Sequence, residues 1–300
     1  MLWGGNPSFD NELLWGKRWY DKTVFNEKGN DLIFKQNFSD SETIQQFLKQ
    51  VEIHDKENTG KPFFSLIFTA GTHAAYTLSN QLFGSPEAEE EAEQFDNRNV
   101  QNVHKRYVNM LQLMDLQVGK FVRALNQRKR KNNTVLIVLG DHSSRTQESD
   151  LNEIASFPMD HYLWTSALIH GPEHFVGPTP RREMFPASQV DIMPTILAMI
   201  GDRQPTSVMG TDLLADIPTD KRTAIAVRPG GFRLNRGNRT LYIDARNPER
   251  FWSTKSFSQW NFLSPPATGS SFDSQDARRI YDAVNYWSWL VENNRVWNPQ

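Results

Sequence analysis

Residues 134–142, Thr-Val-Leu-Ile-Val-Leu-Gly-Asp-His, constrain this chain more than any other stretch. The apolar run Val135–Leu139 predicts a buried strand, and Gly140 releases the backbone so that Asp141 and His142 sit just past its C-terminal end. In open parallel α/β sheets ligands bind at that edge. A carboxylate and an imidazole side by side there suit a hard or borderline divalent cation such as Mn²⁺, Zn²⁺ or Mg²⁺. The same residues also read as a plain strand-to-turn junction, with Asp141 capping the segment that follows.

The rest of the chain supplies a setting for that strand. Met1–Gly4 reads as a short strand, Ser41–Val51 as a helix capped by Asp40 or Ser41, and Phe63–Phe68 as a second buried strand opening into a small-residue loop around His73. An acidic block at Ser85–Phe95 reads as a solvated helix or lid. Arg98–Arg128 carries apolar residues at steps of three and four, the pattern of a long amphipathic helix laid on a sheet. Thr165–Ile169 follows as a strand, then Ser188–Ile200 as a helix in which Pro194 implies a kink or a helix start. From Thr223 the pattern changes to short strands at Ala224–Arg228, Phe232–Asn235 and Thr240–Asp244, separated by Gly-rich turns. A Pro/Gly/Ser linker, Ser264–Ser271, leads to a last helix, Ser274–Asn293, whose face Ile280, Val284, Trp287 and Leu290 must pack back on the body. Strands and helices alternating through residue 201 predict a doubly wound, mostly parallel α/β sheet with a small antiparallel carboxy-terminal sheet and a closing helix. The corresponding domains are 1–215 and 216–300.

Composition narrows the function. A formal net charge of −2 over 300 residues gives no basic field for nucleic acid. The absence of cysteine excludes disulfides, thiolate metal sites and cysteine nucleophiles, and fits an extracytoplasmic bacterial domain. No apolar run approaches the roughly 20 residues that span a bilayer. Against that background three histidines are well placed. His73 and His142 both follow predicted parallel strands, so the fold would bring them to one rim with Asp141; His161, just before the next strand, could reach the same rim by its loop. His54, His104, His170 and His174 lack such placement and read as structural.

Five ordered blocks carry a resemblance: Gly4–Asn11, Phe63–Phe68 with Thr72-His73, Gly140-Asp141-His142, Gln189–Thr195 with Gly201, and Met209–Leu214. Together they resemble the alkaline phosphatase/sulfatase superfamily, and within it the branch of lipoteichoic acid synthases and periplasmic phosphoglycerol transferases. The resemblance implies that Asp141 and His142 ligate the catalytic divalent metal (Mn, Zn or Mg), and that His73 contacts the phosphoryl group or the glycerol-like head of the substrate. His161 matches a histidine that phosphoethanolamine transferases place near the same phosphate. The implied activity is a two-step, metal-dependent transfer or hydrolysis of a phosphodiester, on a phospholipid-derived or other anionic ester substrate. The implied location is the periplasmic or extracytoplasmic face of the inner membrane, held there by a membrane segment absent from this chain.

Two departures from the family pattern shape the expectation. Family members carry an acidic metal ligand and the nucleophilic Thr ahead of the segment matched by Gly4–Asn11. The chain is therefore expected to be the carboxy-terminal portion of such an enzyme, with Met1 an internal methionine, with the amino-terminal part of the same fold as its missing partner, and inactive alone. Asp10 and Glu12 stand where lipoteichoic acid synthases have Trp and Arg. These departures also allow a different class of function, a non-catalytic sulfatase-like domain that binds lipid, glycan or a protein partner. A sulfate-ester hydrolase on the same scaffold is the third reading.

Overall fold

The computed structural model describes residues 2–4, 37–57, 62–69, 71–72, 76, 81–82, 86–95, 99, 101–128, 131–142, 165–178, 180–183, 185–202, 207–228, 231–236, 239–244, 247–254, 274–293 and 295–296. His73, His161, the Gly5–Asn11 part of the first block and the Ser264–Ser271 linker lie outside them. Two compact units form, Met1–Lys131 with Ser144–Ser149, and Asn132–Ser143 with Asp150–Gln300. The architecture is mixed α/β with an antiparallel carboxy-terminal sheet, as the alternation of elements predicts.

The first unit contains β1 (Leu2–Gly4), β2 (Asn37–Phe38), α1 (Asp40–Glu57), β3 (Leu66–Phe68), β4 (Gln81–Leu82), α2 (Pro86–Glu93) and α3 (Val103–Asn126). β1 pairs in parallel with β3, and β2 with β4. The strand expected over 63–68 enters the ladder only at Leu66, because the Phe63 ring is engaged with α1, 6.4 Å from Phe47 and 5.3 Å from His54. Helix α1 is capped by neither Asp40 nor Ser41. Ser39 Oγ accepts the Glu42 N–H at 3.1 Å, which frees the Asp40 carboxylate to accept the Gly71 N–H at 3.0 Å. A Cβ at position 71 would run into that carboxylate, so the approach needs glycine. The apolar face of α1 (Ile44, Phe47, Val51) is buried, and Phe47 meets Phe121 of α3 edge-on at 5.5 Å. Helix α3 begins later than its periodicity suggests because Asn102 Oδ1 accepts the Lys105 N–H at 2.9 Å. The acidic block is helical, as expected. Ala88 and Ala92 turn its one apolar edge inward, and Glu91 holds Gln117 and Lys120 of α3.

The second unit opens with β5 (Leu136–Leu139) and β6 (Ala167–His170), followed by α4 (Glu173–Val176), a 3₁₀ turn at Gln189–Asp191, and α5 (Ile192–Met199). Here the sequence-based expectation needs a correction. β6 runs antiparallel to β5, with Leu136 opposite His170 and Leu139 opposite Ala167. Apolar periodicity says that a strand is buried and says nothing of its direction, and antiparallel strands are common additions to otherwise parallel α/β sheets. Pro194 sits in the first turn of α5, where its missing N–H would have had no partner, so it marks a helix start. Gly201, at φ 73°, ends the helix: the Asp202 N–H reaches Leu197 O at 3.0 Å and the Gly201 N–H reaches Ala198 O at 3.1 Å.

Strands β7 (Thr223–Arg228), β8 (Gly231–Arg236), β9 (Arg239–Asp244) and β10 (Asn247–Thr254) form an antiparallel meander in sequential order. Only β10 escapes the hydrophobic pattern. Its register shifts between Asn247 and Phe251, which breaks the two-residue alternation. On one face Phe232 and Leu234 of β8 stand opposite Ile243 and Leu241 of β9, and α6 (Ser274–Glu292) adds Ala277 and Val284 to the same core.

A strap of polar contacts fastens the 3₁₀ turn and α5 to the 207–214 loop. The Asp191 carboxylate, buried to 1% exposure, accepts the Ser188 N–H and the Thr211 N–H, both at 2.7 Å, and longer contacts from the hydroxyls of the same two residues. Thr195 Oγ1 donates to Asp191 O at 2.6 Å and accepts the Leu213 N–H at 2.9 Å. Gly210 permits the close approach. It sits at φ 99°, and a Cβ there would lie 2.5 Å from Val190 O and 2.8 Å from Asp191 Oδ1.

Two predictions follow from the strap. Gly210→Ala is expected to lose about 3 kcal/mol in urea denaturation, from a left-handed backbone strain and a clash that backbone atoms cannot relieve. Asp191→Asn turns an amide NH₂ toward donors and is expected to cost about 2–4 kcal/mol, since each unsatisfied buried polar group costs about 1–3 kcal/mol. Burial pushes the Asp191 pKa above its ordinary 3.8, with the Ser188 and Thr211 hydrogen bonds pulling partway back. The cost of burying the ionised form is complete above the folded-state value and is relieved as pH falls through it toward the unfolded value. Stability curves against pH should therefore show the gap between wild type and Asp191→Asn widening as that window is crossed downward; a gap that narrows would refute the assignment.

Candidate functional site

The turn after β5 is built by three restraints, all within the second unit. The Gly140 N–H donates to Ser166 O at 3.3 Å, continuing the β5–β6 ladder one step beyond the strand. A Cβ on Gly140 would meet Thr165 Oγ1, so glycine gives space that a larger residue would have to take from that hydroxyl. Gly140 is not among the described glycines of positive φ, which corrects the expectation that it serves to free the backbone. The third restraint comes from the 3₁₀ turn. The Gln189 side-chain amide donates to the carbonyl oxygens of both Gly140 and Asp141, each at 2.8 Å.

Asp141 and His142 project from this turn into solvent, their side chains 71% and 44% exposed. Asp141 Oδ1 accepts the His142 N–H at 2.8 Å, and Oδ2 stands 3.4 Å from His142 Nε2. Two donors on one tetrahedral ion with bonds of about 2.1 Å lie about 3.4 Å apart, so this oxygen and nitrogen are spaced as neighbouring ligands of one cation. Their mixed oxygen and nitrogen chemistry suits Zn²⁺ or Mn²⁺. By themselves they supply two donors: among the described residues no group of three or more His, Cys, Asp or Glu is gathered in a way that could hold a metal. Of the four expected site residues, the described structure thus brings together Asp141 and His142, while His73 and His161 fall outside it.

Gln189 is the contact to this turn that sequence reasoning did not assign to the site. Its signal was present, since it opens the Gln189–Thr195 block whose Asp191 and Thr195 form the strap. Of the other described histidines, His54 lies edge-on to Phe63 at 5.3 Å, and the exposed His174 lies 4.2 Å from the ring of its neighbour Phe175. Among the described residues no helix is long and apolar enough to cross a membrane.

The solved structures of other proteins agree with this fold. An alkaline phosphatase superfamily protein from Vibrio parahaemolyticus matches with a TM-score of 0.64 and 18% identity, over 94% of this chain and 59% of its own. Ps i-CgsB, solved in complex with k-i-k-neocarrahexaose, matches with a TM-score of 0.54 and 19% identity, over 97% of this chain and 64% of its own. A Bacteroides thetaiotaomicron sulf protein, described with the metabolism of multiple glycosaminoglycans, matches with a TM-score of 0.56 and 16% identity, over 85% of this chain and 62% of its own. The chain thus spans about three fifths of the length of these neighbours, and at such identities the likeness concerns the fold. The Sulfatase family model matches residues 7–201. The expected alkaline phosphatase/sulfatase superfamily is thereby met, and the chain belongs to the Sulfatase family.

Proposed function

We propose that the chain provides the metal-holding carboxy-terminal part of a phosphodiester transferase or hydrolase of the phosphoglycerol or phosphoethanolamine type. The observation that carries this reading is the 3.4 Å spacing of Asp141 Oδ2 and His142 Nε2 on a restrained turn at the end of β5. The family match over 7–201 supports placing the catalytic domain within 1–215 and treating 216–300 as an appended subdomain.

Asp141 and His142 would hold the divalent ion, which when bound supplies positive charge to a substrate oxygen. His73 and His161 are assigned to the non-bridging oxygens of the phosphoryl group, as hydrogen-bond donors that orient it and offset its charge. A phosphorylated, glycerol-like head group is the preferred substrate because the ordered blocks, among them Phe63–Phe68 with Thr72-His73, resemble those of phosphoglycerol transferases. The extracytoplasmic location belongs to the same reading.

Calorimetric titration of the full chain with Mn²⁺ tests the metal assignment. Wild type is expected to bind, and Asp141→Ala and His142→Ala each to weaken binding by more than ~100-fold, as loss of a direct ligand should exceed the 10–100-fold typical of outer partners. Isotherms of wild type and both variants that superimpose would remove the metal. At saturating Mn²⁺, glycerol phosphate should bind at least ~10-fold more tightly than glycerol sulfate, because the phosphate monoester carries nearly twice the charge. Equal affinity for the two esters would overturn the choice of a phosphoryl over a sulfuryl group, and His73→Ala should weaken the phosphate ester selectively.

A further inference from the structure

We propose that Gln189 is the positioning residue of the Asp141–His142 turn. Its amide gives both N–H groups to two successive backbone carbonyls and so sets the direction in which the carboxylate and imidazole face a divalent cation; this rests on the metal reading above.

The contact is unusual in what it does not need to do. The carbonyls of Gly140 and Asp141 border an exposed turn where water could satisfy them, so relief of a buried polar group does not explain it. Gln189 is itself exposed and gives up side-chain rotamer freedom to hold both oxygens at 2.8 Å. The geometry is accounted for by orientation. The peptide groups on either side of Asp141 carry the two residues of interest. With the Gly140 N–H on Ser166 O, the two carbonyls on Gln189 and the His142 N–H on Asp141 Oδ1, rotation of those peptide planes is opposed at every step.

The anchor is stiff enough for this work. Gln189 opens the 3₁₀ turn, whose ends are locked by the reciprocal contact of Ser188 with Asp191. Asp191 is in turn fixed by Thr211 at 2.7 Å. The Gln189 amide therefore reaches across from a backbone that the buried strap has already fixed. A side chain of the same length without donors, or one with an acceptor in place of the NH₂, would leave the fold intact and release the turn.

The test uses the full chain with Gln189→Met and Gln189→Glu, Mn²⁺ as the probe, and two independent readouts. Calorimetry should show Mn²⁺ bound about 10–100-fold more weakly by both variants, the range seen when an outer partner of a ligand is removed. Thermal midpoints should stay within about 2 °C of wild type, because the contact is solvent-exposed. In the metal-free protein, ¹⁵N relaxation should show the His142 amide order parameter falling from the rigid range near 0.85 to below about 0.6. An unchanged order parameter overturns the proposal whatever the metal does, and so does Mn²⁺ affinity equal to wild type where wild type binds. If wild type itself takes up no Mn²⁺ while the order parameter falls, the metal reading fails and the restraint of the turn by Gln189 stands.

Discussion

Much of the second unit depends on burying one carboxylate at an acceptable cost. Taking an ionised Asp191 out of water is expensive, and it is tolerated because N–H and O–H donors from Ser188 and Thr211 surround it. Ser188 approaches from three residues before and Thr211 from twenty residues after, so satisfying the charge forces a turn and a distant loop into one arrangement. The loop is held again at its far end. Arg222, 1% exposed, donates to Ala215 O at 2.7 Å and to Asp212 O at 3.3 Å, its guanidinium 3.8 Å above the Phe185 ring. A buried acid and a buried base thus grip neighbouring stretches of one loop. Asp191 meets two backbone N–H groups and Arg222 two backbone carbonyls, while the buried Arg222 Nε has no hydrogen-bond partner among the described residues.

The elements that could be read from the sequence are those whose packing repeats. Helix α6 shows it well: Val284 and Leu290 are spaced on one face and both are buried. Boundaries were less legible because a cap is a local competition among several adequate side chains. Ser39, Asp40 and Ser41 could each cap α1. The outcome turned on a contact 31 residues away, where Asp40 is claimed by the Gly71 N–H. Strand β10 was missed for a related reason, since a register shift interrupts the alternation that identifies strands. The direction of β6 left no mark on its apolar run at all.

At the site, what chemistry names was legible and what holds it was not. Adjacent acid and imidazole after a strand are visible as residue types, and Asp141 and His142 do project together. The Gln189 contact joins a side chain to backbone carbonyls 48 and 49 residues away, and a carbonyl oxygen has no sequence identity to recognise. Gly140 illustrates the same limit. Its presence was evident, but whether a glycine provides freedom or space depends on what stands beside it, here Thr165.

That difference matters because mutual attraction cannot keep Asp141 and His142 in place. An exposed pair of this kind contributes within about 1 kcal/mol, less with salt, which is no more than thermal motion in two mobile side chains can undo. A turn relying on that attraction would present its oxygen and nitrogen in many relative positions, and a cation would have to order them on arrival. Restraint applied to the backbone removes most of that ordering cost before any ligand is present. If a cation engaged one donor, the second would already lie within the same coordination distance, its local concentration set by the turn rather than by diffusion. On the proposed reading the Asp-His pair would gain its usefulness from the peptide planes beneath it, which meet an amide that the buried Asp191 keeps within reach.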